Sequence, residues 1–109
     1  MSLVGTYENA DSGAVLQITD ANNSNGQGKG LFILGDVNIP VSIHYHFVAS
    51  GFKGTTLLVD GFQDDPNHYI GSAGSTDTTT GENGIRLSGG LAVENIVIPF
   101  SGMFAKKQS

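Results

Sequence analysis

The sequence predicts an all-β protein, built as an eight-stranded antiparallel up-and-down β-barrel, and three observations lead to this fold class. Residues 39–47 alternate strictly between two faces, as the side chains of an extended strand do. Apolar residues do not recur at helical spacing, since glycine or asparagine interrupts almost every window of twelve residues. Short alternating runs separated by turn clusters recur along the whole chain instead.

The first half of the chain supplies four predicted strands, at residues 3–8, 14–19, 28–34 and 39–47. Asn9-Ala10-Asp11-Ser12-Gly13 separates the first two, and Asn25-Gly26 favours a hairpin before the third. The third strand is mostly apolar, which predicts burial on both faces, as in a strand covered by a second subunit. In the fourth strand Ile39, Val41, Ile43, Tyr45 and Phe47 share the predicted inner face.

The second half supplies the remaining strands, at residues 55–63, 68–75, 85–93 and 96–105. Asp64-Asp65-Pro66-Asn67 and Glu94-Asn95 are predicted turns. Gly89-Gly90 predicts a bulge or bend, and Pro99 an edge, a bulge or a strand start, because proline lacks the N–H that a sheet ladder needs.

A meander of eight strands joined by short loops favours closure into a barrel, because closure removes exposed strand edges. A barrel of eight strands leaves an interior for side chains or for one small ligand. An open sandwich of two sheets is the competing architecture.

Composition limits the function. The 109 residues are expected to form a single domain, residues 1–109. Cysteine is absent, which excludes disulfides, thiolate metal sites and cysteine nucleophiles. Only 14% of residues are charged, against about 25% in an average domain, and the net charge is −5. With five basic residues in the chain, nucleic acid is not an expected partner.

The chain is also expected to be soluble and to have no membrane partner. Its first residues show no charged region followed by an apolar one, as a secretory signal would. No apolar run approaches the ~20 residues that a membrane-spanning helix needs.

Three groups of residues are candidates for a chemical site. His44 and His46 share a strand face and could hold a metal with His68, or they could be outward-facing polar positions. The acidic group Asp60, Asp64 and Asp65 matches no calcium loop. The serines lie in no nucleophile elbow. The sequence therefore predicts no catalytic residue, no metal site, no cofactor and no enzyme.

Five short segments resemble the avidin/streptavidin family in matching order: Gly5-Thr6-Tyr7-Glu8-Asn9, Gly28-Lys29-Gly30-Leu31-Phe32, Ile43-His44-Tyr45-His46-Phe47, Thr55-Thr56-Leu57 and Ser101-Gly102-Met103-Phe104. The resemblance implies an eight-stranded barrel that holds a ligand at its open mouth and forms a dimer or tetramer. Carried over by position, the implied ligand-binding residues are Asn9, Ser12, Phe32, Tyr45 and Ser50.

The chain departs from that family in its pocket residues. It has no tryptophan, and Phe32 and Gly102 stand where the family has a ligand-binding tyrosine and asparagine. Because an unpaired polar group costs roughly 1–3 kcal/mol on burial, tight binding of biotin is not expected. For Tyr7, Phe32, Tyr45 and Phe104, filling of the barrel core is the alternative to ligand contact.

The sequence thus predicts a non-enzymatic, avidin-like, small-molecule-binding barrel that self-associates through the outer faces of its central strands. The alternative is a small all-β carbohydrate-binding module, lectin-like in character, because its loops are rich in Asn and Asp. A purely structural subunit with a filled barrel is a third possibility.

Overall fold

The computed structural model describes residues 2–63 and 67–107. Over these residues the chain forms eight strands and no helix. The strands are β1 (Gly5–Glu8), β2 (Val15–Asn22), β3 (Gln27–Leu34), β4 (Val37–Val48), β5 (Gly54–Gln63), β6 (His68–Thr76), β7 (Ile85–Val93) and β8 (Ile96–Lys106). The predicted turn residues Asp64, Asp65 and Pro66 lie outside the described residues.

Each strand pairs antiparallel with the next, and β8 pairs with β1 to close a barrel. The predicted fold class is therefore confirmed, and the open sandwich is excluded. None of the described residues belongs to a helix long and apolar enough to cross a membrane.

The alternation of β4 shows how the sequence builds the interior. Ile39, Val41, Ile43 and Tyr45 are buried, whereas each residue between them is exposed. Burying one side chain of this size contributes roughly 1.5–3 kcal/mol. The same alternation on the other strands fills the barrel with a single core.

Over the described strands the pairing register contains one irregularity, and it does not lie where a bulge was predicted. Pairing runs without a shift through Gly89 and Gly90, so the predicted bulge is absent there. The register shifts instead in β2, between Ile18 and Asp20, where it is paired with β3. Glu94 and Asn95 form the predicted two-residue turn, and Glu94 adopts a φ of 56°.

Because the barrel is a simple meander, its connections alternate between two ends. We call the end that carries the β1–β2, β3–β4 and β7–β8 turns the upper end, and the end with the β2–β3, β4–β5 and β6–β7 connections the lower end.

The lower end is filled by the amino-terminal residues and the β6–β7 connection. Leu3 and Tyr7 are fully buried, and the Tyr7 hydroxyl donates to the Leu3 carbonyl at 2.6 Å. Lys106 Nζ donates to the carbonyl of Thr80 at 2.8 Å and lies 5.5 Å from the centre of the Tyr7 ring. Desolvation raises the pKa of Tyr7 to about 12, so its hydroxyl stays protonated at neutral pH.

Candidate ligand pocket at the upper end

β1 and β8 share the shortest strand pairing of the barrel. β1 has four residues and β8 has eleven, and they pair only at Tyr7–Lys106 and Glu8–Ala105. Within the described chain, residues 96–104 therefore have a strand partner on the β7 side only. This leaves a gap in the barrel wall above the end of β1.

The turn that follows β1 folds across part of this gap. Gly13, at φ +77°, allows the chain to reverse, and its N–H donates to the Asn9 carbonyl at 2.9 Å. The side-chain oxygen of Asn9 accepts from the N–H and the hydroxyl of Ser12, both at 2.9 Å. Its side-chain nitrogen donates to the Met103 carbonyl at 3.1 Å, which fastens the turn to β8.

A cavity of about 360 Å³ opens between this turn, β8 and the upper part of β3. This volume falls within the roughly 300–1,000 Å³ typical of small-molecule sites. Its walls are mainly apolar, with polar groups at the rim. The lining residues are Asn9, Asp11, Ser12, Ala14, Phe32, Leu34, Leu91, Ile98, Pro99, Phe100, Ser101 and Phe104.

Three phenylalanines form the aromatic part of the wall. The ring centroid of Phe32 lies 5.7 Å from that of Phe100, with the planes 26° apart, and 6.4 Å from that of Phe104. Phe32 and Phe104 are buried, whereas Phe100 is half-buried beside the opening. The aromatic surface that the pocket offers to an apolar ligand is therefore mainly that of Phe100, backed by the other two rings.

Most of the polar capacity of Asn9 and Ser12 is already used. The Asn9 oxygen accepts two hydrogen bonds from Ser12, and the Ser12 hydroxyl oxygen also accepts from the N–H of Ala14 at 3.1 Å. These two residues shape the mouth of the pocket. The polar groups that remain at the rim are the Asp11 carboxylate, the Ser101 hydroxyl and the open edge of β8.

The structure brings together three of the five predicted ligand-binding residues. Asn9, Ser12 and Phe32 line the upper pocket. Tyr45 is near the end of β4, and Ser50 is exposed in the β4–β5 connection, so both lie at the lower end. The prediction that all five surround one pocket does not fit this topology, because β4 runs away from the upper end.

Tyr45 belongs to a separate depression beside the β2–β3 hairpin. Its hydroxyl donates to the side-chain oxygen of Asn23 at 2.7 Å. Burial, and secondarily the charge of Asp20, raises the pKa of Tyr45. This depression, of about 410 Å³, is lined by Asn23, Ser24, Asn25, Gly26, Tyr45, His46 and Phe47.

Several pocket residues were missed as ligand contacts. Leu34, Leu91, Ile98, Phe100 and Ser101 line the cavity but were assigned only to strands. Alternation indicates which face of a strand they occupy. What exposes them to the pocket is the β1–β8 pairing, which stops at Glu8–Ala105 and which the predicted limits of the strands do not contain.

The three histidines do not form one site. His44 and His46 are exposed on the outer face in the second half of β4, whereas His68 is buried at the start of β6 near the upper end. No group of three or more histidine or acidic side chains suited to holding a metal occurs in residues 2–63 and 67–107.

Comparison with protein-family models, curated proteins and solved structures gave no match.

Proposed function

We propose that the protein is a non-enzymatic, avidin-like barrel that binds a small molecule in the upper pocket and self-associates through its outer face. The observation that carries the proposal is the cavity of about 360 Å³, with its wall of Phe32, Phe100 and Phe104. A mainly apolar cavity with a few polar groups at its rim is the usual form of a small-molecule site.

The rest of the barrel supports a binding role for this end. The lower end is filled by Leu3 and Tyr7, which are held by main-chain and Lys106 contacts. At the upper end, by contrast, the side chains that line the gap in the barrel wall leave a cavity between them. A barrel whose interior is filled at the lower end and recessed at the upper end presents a preformed site, as small-molecule sites usually do.

The avidin-like part of the proposal is supported by the closed barrel and by the meeting of Asn9, Ser12 and Phe32 at one mouth. It does not extend to tight biotin binding. Phe32 has no hydroxyl, and the Asn9 amide is largely committed to Ser12 and Met103. A ligand with several inward polar groups would therefore leave some of them unpaired.

Self-association is supported by the outer face of β5–β8, which we call the flat face. One row across it consists of Phe62, Tyr69, Ala92 and Val97. The Phe62 and Tyr69 rings lie 4.5 Å apart and are 49% and 47% exposed, and Val97 is 71% exposed. Apolar surface of this kind, when contiguous, marks interaction sites.

The rows below are composed mostly of small residues, which would let a second sheet approach closely. They run Asp60–Gly71–Gly90–Pro99 and Leu58–Ala73–Ser88–Ser101. Among the described outward-facing residues of β5–β8, the charged ones are Asp60, which is negative, and Arg86, which is positive. Two copies related by a two-fold axis can therefore oppose unlike charges.

Carbohydrate binding at the lower depression is the second candidate. Half-buried Phe47, Asn23 and Asn25 bring an aromatic ring and two side-chain amides to one depression, the combination that a sugar's apolar and hydroxyl faces require. A glycan array separates the two candidates, because a ligand of the upper pocket would leave polysaccharides unbound.

The test of the principal proposal is a calorimetric titration with the neutral probe 4-phenylbutan-1-ol. We expect saturable binding that weakens at least tenfold in Phe100→Ser. Phe52→Ser is the matched control, since Phe52 is 101% exposed in the β4–β5 connection. Binding that Phe100→Ser leaves unchanged would reject the upper pocket as the site.

A further inference from the structure

We infer that the upper pocket selects a ligand with an apolar, aromatic body and a cationic, hydrogen-bond-donating head such as a primary ammonium group. This inference rests on the proposed function and names the ligand class of the same site. It follows from the balance of donors, acceptors and charges at the rim.

The charge at the rim of the cavity is negative. Asp11 is the only charged residue among the described residues that line the cavity, and its side chain is exposed at the mouth. The chain as a whole carries a net charge of −5. A ligand carboxylate would meet this negative potential with no lysine, arginine or histidine from the described lining to pair with it.

Where it lines the cavity, at Pro99 and Ser101, the open edge of β8 offers two main-chain carbonyls and one N–H. Lys107 N–H donates to the Thr6 carbonyl, and the Met103 carbonyl accepts from Asn9, so odd-numbered residues direct their main-chain groups toward the β1 side. Because alternate residues of a regular strand share this direction, Pro99 and Ser101 also face the gap.

Pro99 causes the imbalance between donors and acceptors, because it presents a carbonyl oxygen and no N–H. The side-chain nitrogen of Asn9, a donor that could have met a ligand carboxylate, donates instead to the Met103 carbonyl. An ammonium head, which has three donors and no acceptor, matches the Asp11 carboxylate and the Pro99 carbonyl. A carboxylate head, which only accepts, matches neither.

The body of the ligand is set by the aromatic wall. Phe32 and Phe100 stack at 5.7 Å, with Leu91 and Ile98 beside them in the lining. Half-buried Phe100 lines the cavity between Pro99 and Ser101, so a ligand with a phenyl body and a cationic head can place both groups near one aromatic ring.

A series with one skeleton and three head groups tests the inference. We would titrate the protein at pH 7 with 4-phenylbutylamine, 4-phenylbutan-1-ol and 4-phenylbutanoate at low ionic strength. We expect the amine to bind most tightly and the carboxylate on the order of tenfold more weakly than the amine. Added salt should narrow the difference, because it screens the charge of Asp11.

Asp11→Asn tests the role of the carboxylate, and Asp36→Asn is its control. Asp36 is exposed in the β3–β4 turn at the same end and does not line the cavity, so both variants remove one negative charge. We expect only Asp11→Asn to weaken binding of the amine, by roughly two- to fivefold, which is the size of effect that loss of an exposed ion pair has.

The outcomes separate the inference from the proposed function. A carboxylate that binds as well as the amine, or an amine preference that Asp11→Asn leaves intact, would overturn the inference while leaving the binding role. Absence of binding by all three probes would reject both.

Discussion

The side-chain nitrogen of Asn9 donates a hydrogen bond to the main-chain carbonyl of Met103 at 3.1 Å and so joins residues 94 positions apart. The bond lies just above the last β1–β8 pair, where the strand ladder ends. Since the same side chain also accepts from Ser12, one amide holds the β1–β2 turn against β8. The edge of the candidate pocket is built on this contact.

Asn9→Ala is expected to lower the free energy of unfolding by about 2–3 kcal/mol, because it removes three hydrogen bonds at a buried position. Urea denaturation monitored by circular dichroism measures the change. Asn38→Ala, at an exposed position on β4, should change stability by less than about 0.5 kcal/mol. Equal effects of the two substitutions would show that the Asn9 contacts do not hold the turn.

Gly102→Ala is expected to act through Asn9. A Cβ atom at residue 102 would lie 2.6 Å from the Asn9 side-chain nitrogen, so the amide must move away from Met103. We expect Gly102→Ala to lower the free energy of unfolding by about 1–2 kcal/mol in the wild-type protein and by less in the Asn9→Ala variant. Gly71→Ala is the control, since a Cβ there meets no heavy atom within 4 Å. Additive effects of the Asn9 and Gly102 substitutions would contradict the coupling.

Tyr7 is expected to make the fold sensitive to alkali. Its pKa is raised by desolvation from 10.0 to about 12, so the unfolded chain releases this proton at lower pH than the folded one. The contribution of the Tyr7 hydroxyl to the free energy of unfolding is therefore fully present below pH 10. It falls by roughly 2–3 kcal/mol as the pH rises toward 12.

Comparison with Tyr7→Phe isolates this contribution. Desolvation lowers the pKa of Lys106, which gives stability the opposite slope, but this effect is common to both proteins. We expect the stability difference between wild type and Tyr7→Phe to shrink between pH 10 and 12, as measured by urea denaturation at each pH. A constant difference across that range would refute the assignment.

Phe62→Asp is expected to weaken self-association, because it places a charge in the apolar row of the flat face. Sedimentation velocity over a range of protein concentrations measures the effect. Phe52→Asp adds the same charge at a fully exposed lower-end position and should leave association unchanged. A wild-type protein that stays monomeric at high micromolar concentration would reject the oligomer.

Local alternation was enough to predict the strands, and the clearest case is β4, where Ile39, Val41 and Ile43 point inward as predicted. The length of β1 could not be predicted in the same way. Leu3 and Val4 continue the apolar pattern of a strand, but Leu3 leaves the ladder and is buried near the Tyr7 hydroxyl. Tertiary packing, and not propensity, sets where that strand begins.

The site could be predicted only in part. Asn9, Ser12 and Phe32 meet because the first turn and the third strand share the upper end. The strand order alone already places Ser50 at the other end, since consecutive connections of a meander alternate. Phe100 could have been assigned to the pocket only from the incomplete β1–β8 pairing, which is a property of the closed barrel.

Amide chemical-shift mapping with 4-phenylbutylamine shows whether the upper cavity is the binding site. We expect shifts that concentrate at Asp11, Ile98 and Ser101 and leave the Asn23–Tyr45 region unchanged. Shifts confined to that lower region, or no shifts at millimolar probe, would contradict it.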